Sequence, residues 1–282
     1  MNKKVGLALS AGGPKGYAHI GVLRALDKAQ IPIDYIAGCS AGSIAGAFYA
    51  LTKDIQKIED YTIKQHWREY ASMFFDPDLY QGLIKGNKVY SFISDFLGDA
   101  TFEDLLIPLN IVTVDIRTGK EIVISKGLLR EAVRASISIP GLFRPVENEH
   151  NLFVDGALSS PLPVRITRKM GSDIVVSVNL LEDMVDDIDK KKIHVSSLSY
   201  KSVMLLLRNL AREQEDEADI KIHPHVGKIG WKSFMDSSDL VDAVNDGETC
   251  MEEHMEELKR KIKPRTVFEI LNTLTHLSSH KS

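Results

Sequence analysis

The sequence predicts an α/β fold of three layers (α/β/α), with helices on both sides of a mainly parallel sheet. Short apolar runs without charged residues, such as Val5–Leu9 and residues 174–180, are typical of strands buried on both faces. Segments of helical periodicity separate such runs, and this alternation implies parallel strands joined by crossover helices. We expect one domain over residues 1–282, in which residues 5–170 form the core that bears the motifs. Residues 171–282 would complete the fold or form a lid.

Each element is predicted from periodicity and from the glycines and prolines that interrupt it. Helices are expected at residues 16–30, 41–51, 54–75, 88–97, 128–136, 164–170, 196–218 and 239–261, and in a short stretch after Pro264. Strands are expected at residues 5–9, 35–37, 109–115, 121–125, 152–155, 174–180 and 220–223, with loops at 76–87 and 137–146 and a charged connector at 186–192. Residues 204–207 (MLLL) are expected on the core face of their helix, in preference to contact with a membrane.

The composition limits the classes of function. The 282 residues carry a net charge of -4, so no basic surface for nucleic acid is predicted. Cys39 and Cys250 lie in unrelated contexts and predict no disulfide framework. The apolar run after the basic start is too short for a signal peptide, and no run reaches transmembrane length. The expected location is the cytoplasm, with peripheral contact at the inner membrane surface left open.

The segment around Ser40 has the pattern of a nucleophile elbow. The sequence GCSAG at residues 38–42 follows an apolar run and precedes a helix of small residues. In this context G-x-S-x-G places a serine on a tight strand-to-helix turn, where Gly38 and Gly42 allow the two backbones to approach each other. The N-terminus of the helix directs N–H groups at the reaction centre. A glycine-rich turn in which Ser40 only caps the helix is the alternative at this stage.

A second glycine-rich turn, GGPKG at residues 12–16, lies between the first strand and the first helix. Its backbone N–H groups could line a hollow of the size of an anion, to which Lys15 adds positive charge. A nucleotide-binding loop is the competing interpretation. It fails because Gly16 is followed by Tyr17, where a P-loop requires Lys and then Ser or Thr, and because a dinucleotide fingerprint requires glycine where the chain has Ala11.

The base for a serine nucleophile is less obvious, because histidine is the usual residue. None of the nine histidines lies in a convincing catalytic turn: His19 is expected to be structural, and residues 223–225 (HPH) are expected to form a surface turn. No Cys/His spacing predicts a metal site. Asp155 is the best-placed carboxylate, because it ends a predicted strand and is followed by the small residues Gly156 and Ala157. An aspartate that only opens a turn is the alternative.

Together, three segments resemble the signatures of the patatin-like phospholipases, in the order and spacing of that family. They are the glycine loop 12–16 with the following YAHIGVL, the GCSAG elbow, and the DGA turn at residues 155–157 with the preceding ASISIPGLF. The resemblance covers residues 5–170 and is closest to the bacterial single-domain members. The chain departs from the family pattern at Ala11, Lys15 and Ser160, and none of these positions is the nucleophile or the base.

This resemblance implies a patatin-like fold and a Ser–Asp dyad without histidine. Ser40 would be the nucleophile, and Asp155 would accept its proton. The backbone N–H groups that would hold the oxyanion belong to Gly12, Gly13 and Ala41. The residues that would support these motifs are Lys15, Gly16, Gly38, Gly42, Gly156 and Ala157. The dyad mechanism calls for no cofactor and no metal.

The expected function is therefore that of a serine esterase acting on a lipid or acyl-ester substrate, of phospholipase or lysophospholipase type. The same dyad could serve a thioesterase or an acyltransferase. The pocket could also hold an acyl ligand without turnover in a regulatory protein. The head group, the acyl chain length, the sn position and the oligomeric state are not predicted by the sequence.

Overall fold

The computed structural model describes residues 3–65, 84–183, 194–235 and 237–263. The chain begins with strand β1 (Val5–Leu9), a 3₁₀ turn (Gly13–Gly16), helix α1 (Tyr17–Lys28), strand β2 (Tyr35–Cys39) and helix α2 (Ala41–Thr52). Every residue of β1 is buried, as expected for a charge-free run in the middle of a parallel sheet. The two strand-to-helix connections in this part are the glycine loop and the elbow.

The remaining elements continue the alternation of strands and helices. The middle of the chain contains helix α3 (Ile55–Glu59), a π-helical turn (Asp60–Gln65), helix α4 (Asn87–Leu97), strand β3 (Leu109–Asp115), strand β4 (Lys120–Ile124), helix α5 (Leu129–Ser136), strand β5 (Val146–Glu147) and strand β6 (Leu152–Asp155). The last part contains helix α6 (Val164–Lys169), strand β7 (Ile174–Val178), helix α7 (Val195–Glu215), strand β8 (Ile220–Ile222), a 3₁₀ turn (Trp231–Met235) and helix α8 (Ser237–Ile262).

These strands form one eight-stranded sheet with the order β5-β6-β3-β2-β1-β7-β8, and β4 pairs with β3 outside this path. The pairings of β1 with β2, β1 with β7, β2 with β3 and β7 with β8 are parallel. The pairings of β3 with β4, β3 with β6 and β5 with β6 are antiparallel. The predicted α/β class is confirmed, and the antiparallel pairings are confined to one side of the sheet.

One edge of β3 brings two distant segments of the chain together. β2 occupies that edge up to Cys39, which pairs with Val112, and β6 continues along it from Asp155, which pairs with Thr113. The other edge of β3 is occupied by β4. Because β2 runs parallel and β6 antiparallel to β3, the carboxyl ends of β2 and β6 face each other. Ser40 and Asp155 therefore lie at two strand ends that abut on a common neighbour.

Helices cover both faces of the sheet. On one face, α1, α2, α4, α5 and α8 enclose a large apolar cluster that includes the buried side chains of Leu23 and Phe48. On the other face, α6 and α7 cover a smaller cluster around Ala8 and Leu162. This arrangement is the three-layer architecture predicted from the alternation of elements.

α1 and α8 cross with their backbones in contact. A Cβ atom on Gly21 would lie only 1.8 Å from the carbonyl oxygen of Val244, so no larger residue fits there without displacing one helix. The ion pairs of Arg24 with Glu59 and Glu248 lie beside this crossing. The long C-terminal helix is thereby fixed against the helix that follows the glycine loop.

Two predicted segments differ in the structure, and others lie outside the described residues. The helix predicted over residues 54–75 is helical in its described part, from Ile55 to Gln65, but it changes from α-helical to π-helical after Glu59. Residues 66–83, the connector at 186–192 and the stretch after residue 263 lie outside the described residues. The loop predicted at residues 137–146 ends in β5, whose two residues are too few to show a period.

The prediction that residues 204–207 form a core face is only half correct. Met204 and Leu207 pack against the smaller apolar cluster, as expected. Leu205 and Leu206 are exposed, because four consecutive residues of a helix point in four different directions. A continuous apolar run therefore cannot lie entirely on one buried face.

Candidate active site

Ser40 occupies the turn between β2 and α2 in a backbone conformation that is rare for a residue with a side chain. Its φ is 51° and its ψ is -119°. The glycines two positions away are required by close contacts: a Cβ on Gly38 would lie 2.5 Å from the carbonyl oxygen of Gly42, and a Cβ on Gly42 would lie 2.2 Å from that of Leu9. Strand and helix meet here as closely as the G-x-S-x-G pattern requires.

The hydroxyl of Ser40 lies against the carboxylate of Asp155. Ser40 Oγ donates a hydrogen bond of 2.7 Å to Asp155 Oδ2. The other carboxylate oxygen, Oδ1, accepts a 2.8 Å hydrogen bond from the N–H of Ala157 and a weak 3.8 Å contact from the thiol of Cys39. Both Ser40 and Asp155 are buried. The structure thus brings together the two residues that the sequence analysis proposed as nucleophile and base.

Burial changes the acid–base properties of this pair. It raises the pKa of Asp155 to about 6, against the opposing hydrogen bonds from Ala157, Ser40 and Cys39. Burial, together with the nearby charge of Asp155, raises the pKa of the Cys39 thiol well above its usual range. At neutral pH Asp155 is therefore largely ionised, whereas Cys39 is a neutral thiol and a poor nucleophile.

Two serines near the end of α5 hold both members of the pair by hydrogen bonds. The fully buried Ser136 Oγ accepts the N–H of Ser40 at 2.9 Å and donates to the carbonyl of Val112 at 2.6 Å. The carbonyl of Ser138 accepts the N–H of Asp155 at 2.9 Å. Ser136 and Ser138 belong to the segment ASISIPGLF that resembles the family, but neither was predicted to have a role of its own. Their place in that segment, at the end of α5 and the start of the loop that leads to β6, was the available signal.

The glycine loop lies next to the elbow. A Cβ on Gly16 would lie 2.7 Å from the Cβ of Ala41, and the N–H of Gly42 donates to the carbonyl of Ser10 at 3.1 Å. Gly13 has a φ of 56°, in the left-handed region that glycine favours. The loop that contains Gly12 and Gly13 and the first residue of α2, Ala41, therefore share one side of the Ser40 turn. The buried side chain of Lys15 also belongs to this loop.

The small residues after Asp155 fill a narrow space. A Cβ on Gly156 would lie 2.3 Å from the carbonyl oxygen of Val112, so the turn packs directly on β3. The N–H of Ala157 turns back to the carboxylate of Asp155. Ser160, one of the departures from the family pattern, is buried and donates from Oγ to Glu121.

The histidines near the sheet have structural contacts. His19 is completely buried, with its Nε2 2.9 Å from the carbonyl oxygen of Ser10, and burial lowers its pKa to about 4. The neutral ring of His19 donates to the carbonyl of Ser10, just before the glycine loop. This contact fits the structural role expected for His19. His223 differs from the predicted surface turn: it is half-buried and bonds Glu215 at 2.8 Å, which raises its pKa.

One group of possible metal ligands occurs on α8 within the described part of the chain. The ligand atoms of Cys250, Glu253 and His254 lie within 4.8 Å of one another. His254 Nδ1 is already bonded to the carbonyl of Cys250 at 2.9 Å, and burial raises the pKa of the Cys250 thiol. Because a metal binds the thiolate, these contacts do not favour a metal there.

These features define a candidate serine–carboxylate site. A strained serine at a strand-to-helix turn of an α/β sheet lies next to a buried aspartate and a glycine loop. Residues 7–168, more than half of the chain, match the family of patatin-like phospholipases. The chain belongs to this family.

Relatives of similar sequence agree with this assignment, and one solved structure has a similar fold. An uncharacterized NTE family protein of Mycobacterium tuberculosis (strain ATCC 25618 / H37Rv) is 33% identical over 183 residues, which are 63% of this chain and 49% of that protein. Lysophospholipase nte1 of Aspergillus fumigatus is 32% identical over 200 residues, which are 70% of this chain and 13% of that protein. VipD from Legionella pneumophila shares the fold with a TM-score of 0.57 and 13% identity, over 91% of this chain and 67% of VipD.

The chain spans about half the length, or less, of these curated relatives. Among the helices within the described ranges, none combines the length and the apolarity that crossing a bilayer requires.

Proposed function

We propose that this chain hydrolyses carboxylic esters of lipid acyl chains, as a phospholipase or lysophospholipase, with Ser40 and Asp155 as a catalytic dyad. The observation that carries the proposal is the buried 2.7 Å hydrogen bond from Ser40 Oγ to Asp155 Oδ2 at the elbow. Membership of the patatin-like phospholipase family and the similarity to a lysophospholipase support a lipid substrate.

In the first half of the proposed reaction, Ser40 Oγ attacks the ester carbonyl carbon while its proton passes to Asp155 Oδ2. The carbonyl oxygen becomes an oxyanion, and the N–H groups of Gly12, Gly13 and Ala41 would stabilise it. The tetrahedral intermediate then collapses. The bond to the leaving alcohol breaks, Asp155 returns the proton to that alcohol, and the acyl group remains on Ser40.

In the second half, a water molecule attacks the acyl-enzyme and gives its proton to Asp155. Collapse of the second intermediate breaks the bond to Ser40, which recovers the proton, and the fatty acid leaves. Asp155 can serve as this base because burial brings its pKa to about 6, closer to the operating pH than that of an ordinary carboxylate. No histidine is needed in this sequence of steps.

The proposal is tested with a fluorophosphonate probe and a short-chain nitrophenyl ester. Ser40→Ala should abolish both labelling and turnover, and Asp155→Asn should lower turnover by about a thousandfold or more. Ser91→Ala, which changes an exposed serine of α4, is the matched control and should leave both unchanged. Circular dichroism spectra should show that all three variants are folded.

Particular outcomes would contradict each part of the proposal. Turnover that persists in Asp155→Asn would remove Asp155 from the base position. A folded wild-type protein that neither reacts with the probe nor hydrolyses an ester would instead indicate an acyl-binding protein without turnover. With an active enzyme, release of free fatty acid from lysophospholipid distinguishes hydrolysis from transfer of the acyl group to another acceptor.

A further inference from the structure

The outward face of α7 is apolar over most of its length. Among the described residues, eleven large apolar side chains are exposed, and six of them lie between residues 195 and 206. They are Val195, Leu198, Tyr200, Val203, Leu205 and Leu206. The exposed fractions of Leu205 and Leu206 are 54% and 67%. Single exposed apolar residues are ordinary, but a concentration of this kind on one helix marks an interaction surface.

This face also carries little charge: Lys201 and Arg208 are only partly exposed, and Arg208 Nη2 lies 3.5 Å from Glu182 Oε1. Every exposed residue of α7 up to residue 211 whose side chain is described is uncharged, and the polar ones are Ser199, Ser202 and Asn209. The C-terminal end of the same helix is different: Arg212 and Glu213 are exposed there, and Arg212 pairs with Glu182. A helix face in contact with water alone would carry charged residues along its full length.

The opposite face of α7 is anchored in the protein. Met204, Leu207 and Ala211 pack against the smaller apolar cluster of the sheet. Leu205 and Leu206 lie between Met204 and Leu207 in the sequence, so the anchored helix holds both leucines outward.

The exposed apolar surface of α7 reaches the glycine loop through Tyr200, which precedes Met204, Leu207 and Ala211 on the anchored side of the helix. The indole N–H of Trp231 donates to Tyr200 Oη at 3.4 Å. The ring of Trp231 lies over the loop, since a Cβ on Gly13 would be 3.4 Å from its six-membered ring. Exposed Lys228 and Lys232 flank Trp231. An apolar helix face, an aromatic ring and a basic rim therefore adjoin the loop expected to hold the oxyanion.

We propose that the outward face of α7 docks on a phospholipid bilayer that contains anionic lipid, and so presents an acyl ester to Ser40 beside Trp231. This proposal rests on the proposed function, from which it takes the lipid substrate. Leucine side chains would enter the interface, tryptophan would lie at the level of the head groups, and the lysines would attract anionic lipid.

Vesicle binding is measured with the Ser40→Ala protein, so that no lipid is consumed. The vesicles contain phosphatidylcholine with about 30% phosphatidylglycerol, an anionic fraction sufficient to attract basic residues. Addition of Leu206→Asp should lower the fraction bound in flotation by about tenfold or more, because a charge would enter the apolar contact. The matched control is Leu106→Asp, which changes a leucine of 61% exposure before β3 and should bind as the parent does.

Several results would overturn the proposal. Absence of vesicle binding by the parent, or equal binding by Leu206→Asp, would remove α7 as a docking face. Equal binding to vesicles of phosphatidylcholine alone would overturn the assignment to anionic lipid. A parent dimer that Leu206→Asp converts to a monomer, measured by light scattering, would show that a second copy of the chain covers the face instead.

Hydrolysis assays in a background with intact Ser40 separate this proposal from the proposed function. Leu206→Asp should hydrolyse a soluble nitrophenyl ester within about twofold of wild type, yet release fatty acid from vesicles about tenfold more slowly. Failure of the wild type to hydrolyse any ester would contradict the proposed function, whereas the vesicle-binding result would still decide the role of α7.

Discussion

The elbow at Ser40 and the crossing of α1 with α8 are both places where glycines bring two backbones into contact. A Cβ on Gly42 would lie 2.2 Å from the carbonyl oxygen of Leu9, and a Cβ on Gly247 would lie 2.1 Å from that of Ala18. The steric constraints are similar, but only the elbow holds a strained residue against a buried carboxylate. Close approach identifies a structural requirement, and strain beside a titratable group identifies a candidate site.

The largest effect is expected when each glycine is replaced by alanine. Gly42→Ala and Gly247→Ala should each lower the free energy of unfolding by about 3 kcal/mol or more, because a methyl group is forced into backbone atoms. Per folded molecule, however, Gly42→Ala should lose about a hundredfold in ester turnover through displacement of Ser40, and Gly247→Ala less than about twofold. Denaturant titration measures the stability of both variants, and turnover rates are normalised to the folded fraction. Equal losses of turnover would contradict the distinction between the elbow and the helix crossing.

The pH dependence of kcat/KM should distinguish the elbow from the helix crossing, because only the elbow adjoins the proposed base. Because Asp155 must be ionised to accept a proton and its pKa is raised to about 6, kcat/KM should fall as pH decreases below 6, by about tenfold per pH unit. The Gly247→Ala protein should show the same profile, since the helix crossing contains no part of the dyad. A profile that is flat between pH 4 and pH 7 would argue against Asp155 as the base.

Removing the charge of Asp155 should lower ester turnover and raise the free energy of unfolding. Its pKa is raised from 3.8 to about 6, so the folded state holds the proton more tightly and wild-type stability falls as pH rises through this interval. Asp155→Asn avoids this loss and should raise the free energy of unfolding by about 1–3 kcal/mol above pH 7, with no gain below pH 4. Urea unfolding at several pH values measures the difference, and a destabilised variant at pH 8 would contradict the prediction.

The smallest effect concerns the support of the elbow by Ser136. Ser136→Ala leaves the N–H of Ser40 without its partner and should lower kcat by about tenfold. Ser172→Ala is the matched control, because Ser172 is also buried and donates to a backbone carbonyl, that of Thr167. Both variants should lose about 1 kcal/mol of stability, and only Ser136→Ala should lose turnover. A similar loss of kcat in both would reduce Ser136 to a packing residue.

The features of the fold that could be predicted from the sequence are those set by local patterns. The run Val5–Leu9 is buried along its whole length, and the elbow glycines are needed at the spacing seen in the sequence. These features depend on neighbours within a few residues, so the sequence carries them directly. The glycines of the α1–α8 crossing have the same steric role, but isolated glycines in two helices 226 positions apart, Gly21 and Gly247, give no local signal.

Features that depend on tertiary neighbours were not predictable in the same way. Ser136 lies in the family-like segment ASISIPGLF, but its role is visible only once β2 and β3 bring Ser40 and Val112 against it. Leu205 and Leu206 fit a buried helix by composition, and which residues of this run face outward depends on how α7 packs on the sheet. The contact of Ser40 with Asp155 was expected from family resemblance, and its physical origin, the shared edge of β3, requires the strand order.

The meeting of β2 and β6 on that edge has a consequence for the order of events in folding. Ser40 and Asp155 are separated by 115 positions, and only the pairing of β6 with β3 carries the aspartate to the serine. A growing chain that is released before β6 is made therefore presents Ser40 without the carboxylate that we propose as its base. Ester turnover during refolding should appear only when β6 has paired with β3. The time at which turnover begins would therefore report when this sheet is complete.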